Sequence, residues 1–158
     1  MSETISQTLS EDLFSLLQKE RFVTLATIDH ESKAPVLHSL SWTYAATPQL
    51  IRFAVNNRSR ILANIEKNPQ VALHLIGAGS SYAIYGRATI RTRRMEGVPL
   101  KLALVEMSIQ SVHDIMFYGS RIRVEPQYEK TYALTAAEQL DQQVMTALRQ
   151  DYKDEKNA

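Results

Sequence analysis

The stretch FAVNNRSRILANIEKNPQVALHLI, Phe53 to Ile76, contains a strand, a helix and a second strand in direct succession. The first apolar run ends in the polar segment NNRSR, residues 56–60. Residues 58–67 then carry apolar side chains at helical spacing, and Asn68-Pro69 ends this pattern because a residue before proline avoids the helical region. A helix that starts directly after a strand places unsatisfied N–H groups and partial positive charge beside the sheet. This arrangement favours an anion, phosphate above all.

Ser59 and the two arginines beside it have two interpretations. In the first, Ser59 is an ordinary N-cap and Arg58 and Arg60 are solvated, which is a common arrangement. In the second, the Ser59 hydroxyl donates to a bound anion, and the arginines add charge-assisted contacts. The spacing alone leaves both open.

The rest of the chain predicts a mainly β protein of one domain, residues 1–158. Alternating or apolar runs indicate strands at residues 21–28, 34–44, 50–55, 70–76, 82–92 (with Gly86 as a bend or bulge) and 102–114. The last of these contains helix formers, but its period of two predicts a strand. Helices are predicted at residues 10–20 and, capped and amphipathic, at 134–152. Six short strands are best closed into an antiparallel barrel, which removes exposed edges.

Composition excludes several classes of site. The chain has no cysteine, which rules out disulfides and thiolate sites and is typical of the cytoplasm. Its formal net charge of +1 gives no indication of nucleic-acid or membrane binding. The N-terminus lacks the pattern of a signal peptide, and no apolar run approaches the length of a membrane span. The four histidines lie on different elements without ligand spacing, so no metal site is predicted.

Three segments carry a family resemblance: RFVTLATIDHESKAPVLHSLSWTY (21–44), LIRFAVNNRSRILANIEKNPQVALHLI (50–76) and YAIYGRATI (82–90). Together they resemble the FMN-binding split β-barrel family, which is related to pyridoxamine 5′-phosphate oxidase. VHDIMFYGSRI (112–122) is similar to the general-stress-protein-like members of that group. The resemblance implies a six-stranded antiparallel split β-barrel with flanking helices, and a homodimer that holds FMN at its interface.

The resemblance also implies which residues bind the cofactor. Arg60 would hold the phosphate with Ser59 beside it, and residues 37–42 would run along the flavin and its ribityl chain. A segment of the partner chain would close the site. The full implied set is Leu37, His38, Ser39, Leu40, Ser41, Trp42, Ala54, Val55, Arg58, Ser59 and Arg60, with Ser80, Ser81 and Tyr82 from the partner chain.

Three departures argue against a true pyridoxamine-phosphate oxidase. Ile61 stands where the oxidase has a second cation, Leu37 stands where it has an arginine, and its C-terminal Arg-x-His substrate motif is missing. The prediction is therefore an FMN-binding oxidoreductase-like protein with an unknown small-molecule redox substrate and no assigned catalytic residue. The alternatives are a flavin-binding stress or sensor protein without turnover, or a split barrel that uses a deazaflavin or haem.

Overall fold

The computed structural model describes residues 5–150, which form one antiparallel sheet with three helices. The elements are β1 (Ile5–Ser6), α1 (Glu11–Leu16), β2 (Val23–Ile28), β3 (Pro35–Leu40), β4 (Thr43–Thr47), β5 (Leu50–Asn56), α2 (Arg60–Lys67), β6 (Gln70–Gly77), β7 (Ser80–Thr92), β8 (Leu102–Asp114) and α3 (Leu134–Arg149). The strands are hydrogen-bonded in the order β3-β2-β6-β7-β8-β5-β4, and β1 pairs with β8. Outside the described residues lie positions 1–4 and 151–158 of the predicted domain. The second range includes the last two residues of the predicted C-terminal helix.

The predicted strand at residues 34–44 is two strands, β3 and β4. Leu40 pairs with Val23 on β2, whereas Thr43 pairs with Phe53 on β5. The change occurs at the two residues that link these strands. The Ser41 carbonyl still accepts from Arg21 N, just before β2, whereas the Trp42 carbonyl accepts from Ala54 N on β5. The strand therefore changes partners within one apolar run, which its pattern does not reveal.

This change of partners alters the expected barrel. The main path of the sheet has seven strands rather than six, and its two edge strands, β3 and β4, follow one another in the chain. Within residues 5–150 no ladder joins β3 to β4, so hydrogen bonds do not close the sheet. The mainly β architecture with flanking helices is confirmed, but the closed six-stranded barrel is not.

Alternate strand positions supply the main core. Leu25, Phe53, Leu73, Ile84 and Met107 are completely buried and point to the same side of the curled sheet. They are the positions that a period of two selects in each strand. The apolar stripe of α2 packs into this core through Ile61, Leu62 and Ile65.

A second, smaller core lies under α3. Val144 and Leu148 of this helix pack with Ala54 and Leu104, which lie on β5 and β8. The helix thereby covers part of the outer surface of the sheet. The predicted side-chain cap of this helix is wrong, because Ala133 occupies the N-cap position without a side-chain hydrogen bond.

Residues 102–114 form strand β8, as their alternation predicts, and β8 pairs with both β5 and β7. Leu102 and Leu104 face α3, while Val105 and Met107 face the main core. Since both faces are covered at this end, burial outweighs the helix propensity of Leu, Ala and Glu.

The predicted irregularity at Gly86 is confirmed. The register between β7 and β8 shifts between Tyr85 and Gly86. A Cβ atom added to Gly86 would lie 2.2 Å from the carbonyl oxygen of Ser108. Only glycine allows the two backbones to approach this closely.

Candidate functional site

A cavity of about 480 Å³ opens where β3, β5 and the start of α2 meet. Its lining residues come from three chain segments: His38, Ser39, Leu40, Ser41 and Trp42; Ala54, Val55 and Asn56; and Ser59 and Ile61. Eight of these were implied by the family resemblance, and Asn56 and Ile61 are additional. The volume lies within the usual range for small-molecule pockets of about 300–1,000 Å³.

Other implied residues do not line this cavity. Leu37 is 73% exposed, on an outward-facing position of β3. Ser80, Ser81 and Tyr82 lie on β7, which is separated from β3 by β2 and β6. None of these three residues lines the cavity of its own chain.

Ser59 places the helix N-terminus at the cavity. It is the N-cap of α2, and its Oγ accepts from Ile61 N at 3.2 Å. Because the hydroxyl accepts in this bond, its hydrogen remains available to donate. Arg58 is exposed beside it, and its backbone N–H donates to Asn56 Oδ1 at 2.8 Å. The cap interpretation and the anion interpretation of Ser59 are therefore compatible.

Arg60 is already paired with the turn between β2 and β3. Its Nε donates to Asp29 Oδ1 at 2.6 Å, and its Nη2 lies 3.2 Å from both Asp29 Oδ2 and Glu31 Oε1. Asp29 also accepts from the backbone N–H groups of Glu31 and Ser32. The Arg60 guanidinium holds the pKa of Asp29 well below its usual range, and Asp29 raises the pKa of Arg60. Within residues 5–150 Nη1 of Arg60 has no protein hydrogen-bond partner, but neither Arg60 nor Arg58 lines the cavity.

A buried polar chain runs from this turn to the cavity. The side chains of Asn64 and Thr27 are buried, with 0% and 1% of each residue exposed, and both are hydrogen-bonded. Asn64 Oδ1 lies 2.9 Å from His30 N, and Asn64 Nδ2 lies 2.9 Å from Thr27 Oγ1. Thr27 Oγ1 lies 2.9 Å from His38 Nε2. Burial lowers the pKa of His38, and the charge of Asp29 partly opposes this shift.

The cavity wall formed by Trp42 is held by α3. The indole Nε1 donates to Asp141 Oδ1 at 2.8 Å, and Asp141 Oδ2 pairs with Lys130 Nζ at 2.8 Å. Lys130 also contacts Glu20 at 3.3 Å. Burial is the main cause that raises the pKa of Glu20, and the charge of Asp141 adds to it.

Sequence reasoning missed Asp141 and Asn64, although each leaves a signal. Asp141 lies in the buried stripe of α3 with Ala137 and Val144, and Asn64 lies in the buried face of α2. A polar residue within an apolar helical stripe indicates a buried hydrogen-bond partner.

A second cavity, of about 350 Å³, lies beside Arg21, Phe22, His74 and Tyr128. Arg21 Nη2 donates to both Glu125 and the Ile76 carbonyl at 2.9 Å, whereas its buried Nε has no hydrogen-bond partner among residues 5–150. The first cavity combines an apolar floor with a helix N-terminus and a hydroxyl donor. We therefore regard the first cavity as the functional candidate.

Within the described part of the chain, no three His, Asp or Glu side chains are grouped closely enough to hold a metal ion. In residues 5–150 no helix has the length and apolar character needed to cross a membrane.

A family model described as pyridoxamine 5′-phosphate oxidase matches residues 9–100, which is more than half of the chain. The chain belongs to this family. The matched region contains β2 to β7, α2 and every lining residue of the candidate cavity. It excludes β8 and α3, so the Asp141 contact to Trp42 comes from outside it. No curated protein matches the sequence.

Solved structures of low sequence identity share the fold. A Lactobacillus delbrueckii protein, provisionally assigned as a pyridoxamine 5′-phosphate oxidase, is 16% identical with a TM-score of 0.59, covering 71% of this chain and 98% of its own. An F420 reductase is 17% identical with a TM-score of 0.55, covering 66% and 98%. General stress protein 26 from Bacillus anthracis is 14% identical with a TM-score of 0.52, covering 70% and 94%.

The cavity residues fit a phosphorylated flavin in their chemistry. The apolar lining residues are Leu40, Ala54 and Val55, although Ala54 and Val55 are neighbours on β5 whose side chains pack into opposite cores, so only a small part of each reaches the cavity. Ser59 and the start of α2 offer donors to a phosphate, and Arg60, the first residue of that helix, keeps Nη1 outside its pair with Asp29. The Asp29 and Glu31 carboxylates reduce the net positive charge at this end.

Proposed function

We propose that this protein binds FMN in the cavity between β3, β5 and the start of α2, and acts as an oxidoreductase-like flavoprotein. The observation that supports this proposal most directly is the convergence of eight implied cofactor residues on one cavity at a helix N-terminus. Membership of the pyridoxamine 5′-phosphate oxidase family supports the class of cofactor.

The chain's own residues would bind and orient the cofactor. The Ser59 hydroxyl and the first turn of α2 would donate to the phosphate, with Arg60 Nη1 as the charged contact and Arg58 as a further cation. The ring would lie along residues 38–42 and against the end of β5 at residues 54–56. Bound FMN would itself supply the redox chemistry, exchanging electrons with a small-molecule substrate.

We also propose that the protein is a homodimer with the cofactor at its interface. Ser80, Ser81 and Tyr82 lie away from the cavity of their own chain, so they could contribute only across a dimer. Apolar side chains such as Leu37 and Phe117, 73% and 66% exposed, are available for such a contact. Sedimentation at micromolar concentration tests this proposal, and a monomer would contradict it. Location in the cytoplasm stays a prediction from composition.

A second candidate cofactor is a deazaflavin. Its support is the structural similarity to the F420 reductase, whose name states its cofactor. Turnover is also open, because another structural neighbour is a general stress protein. We assign no catalytic residue.

The test is the absorbance spectrum of the purified protein, followed by titration of the apoprotein with FMN. A flavin spectrum and saturable binding would support the proposal. Binding of a deazaflavin but not FMN would replace the cofactor, and binding of neither would contradict the function. Steady oxidation of reduced nicotinamide by the FMN-loaded protein would distinguish an enzyme from a binding protein.

A further inference from the structure

We infer that His38 is a hydrogen-bond donor to the ligand of this cavity, and that Asn64 and Thr27 are positioning residues that fix which ring nitrogen of His38 carries the proton. The ligand atom at His38 is then an acceptor, such as a carbonyl oxygen or an unprotonated ring nitrogen of a flat heterocycle. The ligand part of this inference rests on the proposed function, and the proton placement does not.

The first step fixes the orientation of the Asn64 amide. The backbone N–H of His30 can only donate, and it lies 2.9 Å from the Asn64 side chain. The atom that meets it must therefore be Oδ1, which accepts. The same oxygen lies 2.8 Å from His30 Nδ1, which must also donate. The amide nitrogen of Asn64 is consequently directed at Thr27.

The second step fixes the direction of the Thr27 hydroxyl. Asn64 Nδ2 can only donate, so Thr27 Oγ1 accepts from it at 2.9 Å. The hydroxyl retains one hydrogen, and Thr27 is 1% exposed and thus shielded from bulk water. His38 Nε2, at 2.9 Å, is the acceptor placed to receive this hydrogen.

The third step gives the state of His38. A ring whose Nε2 accepts carries its single proton on Nδ1 when neutral. Protonation of Nε2 would place two donors against Thr27 Oγ1 and leave the buried hydroxyl hydrogen without an acceptor. Within residues 5–150 Nδ1 of His38 has no protein partner, and the residue lines the cavity. The Nδ1–H group is therefore the donor left for a ligand.

The chain of bonds also explains why this histidine suits a neutral ligand atom. The groups around it include Asp29 and Glu31, which are paired with Arg60, and the half-buried His30. These charges are largely committed to one another. His38 thus offers a directed N–H group rather than a positive charge.

The first experiment places the proton without any cofactor. Long-range ¹H–¹⁵N correlation spectra of ¹⁵N-histidine apoprotein, with His38 assigned through His38→Phe, should show an unprotonated Nε2 at neutral pH. Thr27→Val should abolish this single tautomer, whereas Thr27→Ser should restore it because serine retains the hydroxyl. A protonated Nε2 in the wild type would overturn the inference.

The second experiment measures FMN affinity by titration of the apoprotein. Loss of one neutral hydrogen bond, worth about 0.5–1.5 kcal/mol, corresponds to roughly 2- to 13-fold weaker binding, which we expect for His38→Phe and Thr27→Val. His38→Gln should recover part of the loss, since its amide can donate. The matched control is Thr89→Val, the same change at an exposed position of β7, which should bind like the wild type.

The outcomes separate the two proposals. Wild-type affinity in His38→Phe would overturn the donor role while leaving FMN binding intact. Failure of the wild type to bind either FMN or a deazaflavin would overturn the proposed function and the ligand part of this inference. The tautomer measured in the apoprotein would still support or overturn the positioning role of Thr27 and Asn64.

Discussion

Substitution of Asp141 by alanine should destabilise the protein and release the wall of the cavity. Its carboxylate accepts from Trp42 Nε1 and pairs with Lys130 Nζ, both at 2.8 Å, and its side chain is 12% exposed. A hydrogen bond to a charged group contributes about 1.5–3 kcal/mol. The side chain of Lys130 is 20% exposed and retains its ion pair with Glu20. Loss of its ion pair with Asp141 therefore adds little to the change in unfolding free energy.

We therefore expect Asp141→Ala to lower the free energy of unfolding by about 2 kcal/mol. For a chain of this size that equals a fall in Tm of roughly 4–8 °C. Asp141→Asn should lose less, because its amide oxygen can still accept from the indole. Urea and thermal unfolding followed by far-UV circular dichroism measure both variants.

Trp42 gives a second, local measurement because it is the only tryptophan in the sequence. Its emission should shift to longer wavelength in Asp141→Ala, since the freed indole meets more water. Glu138→Ala removes a carboxylate from an exposed position of the same helix and is the matched control, expected within about 0.5 kcal/mol of wild type. If Asp141→Ala and Glu138→Ala unfold alike and the Trp42 emission of Asp141→Ala is unchanged, the Trp42–Asp141 bond does not stabilise this wall.

Three further predictions concern the sheet, the phosphate end and pH. Gly86→Ala should lower stability by about 1–3 kcal/mol or more in urea unfolding, because its Cβ would lie 2.2 Å from the Ser108 carbonyl oxygen; unchanged stability would exclude this close approach. Arg60→Ala should weaken FMN binding about ten-fold, and Arg60→Lys should weaken it less because the charge is kept, although one ammonium group cannot replace a guanidinium that holds Asp29 and a phosphate through separate N–H groups; equal affinity in Arg60→Ala would place the phosphate elsewhere. Burial lowers the pKa of His38 below 6.5, so the unfolded chain binds this proton more tightly, and stability should fall as pH drops below about 6.5. Urea unfolding at about pH 7.5 and about pH 5.5 should show a smaller difference in His38→Gln than in the wild type.

The sequence predicted most elements because most strands alternate between buried and less buried side chains and the longer helices have an apolar stripe. Residues 102–114 are an example: their alternation predicted a strand despite their helix propensity, and the structure confirms it. The family motif also singled out residues that the structure brings together around one cavity, namely His38 to Trp42 and Ser59.

What the sequence could not give depends on contacts between distant segments. Asp29 follows a strand as an ordinary turn residue, and nothing local shows that it pairs with Arg60, 31 positions away. The Trp42–Asp141 bond spans 99 positions. The break at Ser41 is likewise invisible in the sequence, because it arises when two halves of one apolar run find different neighbours.

Strand β3 has a consequence for how this protein behaves in dilute solution. It pairs with β2 on one side only within the described chain, and Leu37 near its middle is 73% exposed. An open edge with an apolar side chain is a template for pairing with another chain, and the only proline in the strand, Pro35, blocks just its first position. A chain deprived of its proper partner should therefore be prone to aggregation rather than persist as a soluble monomer. Charged substitutions such as Leu37→Lys should suppress that aggregation.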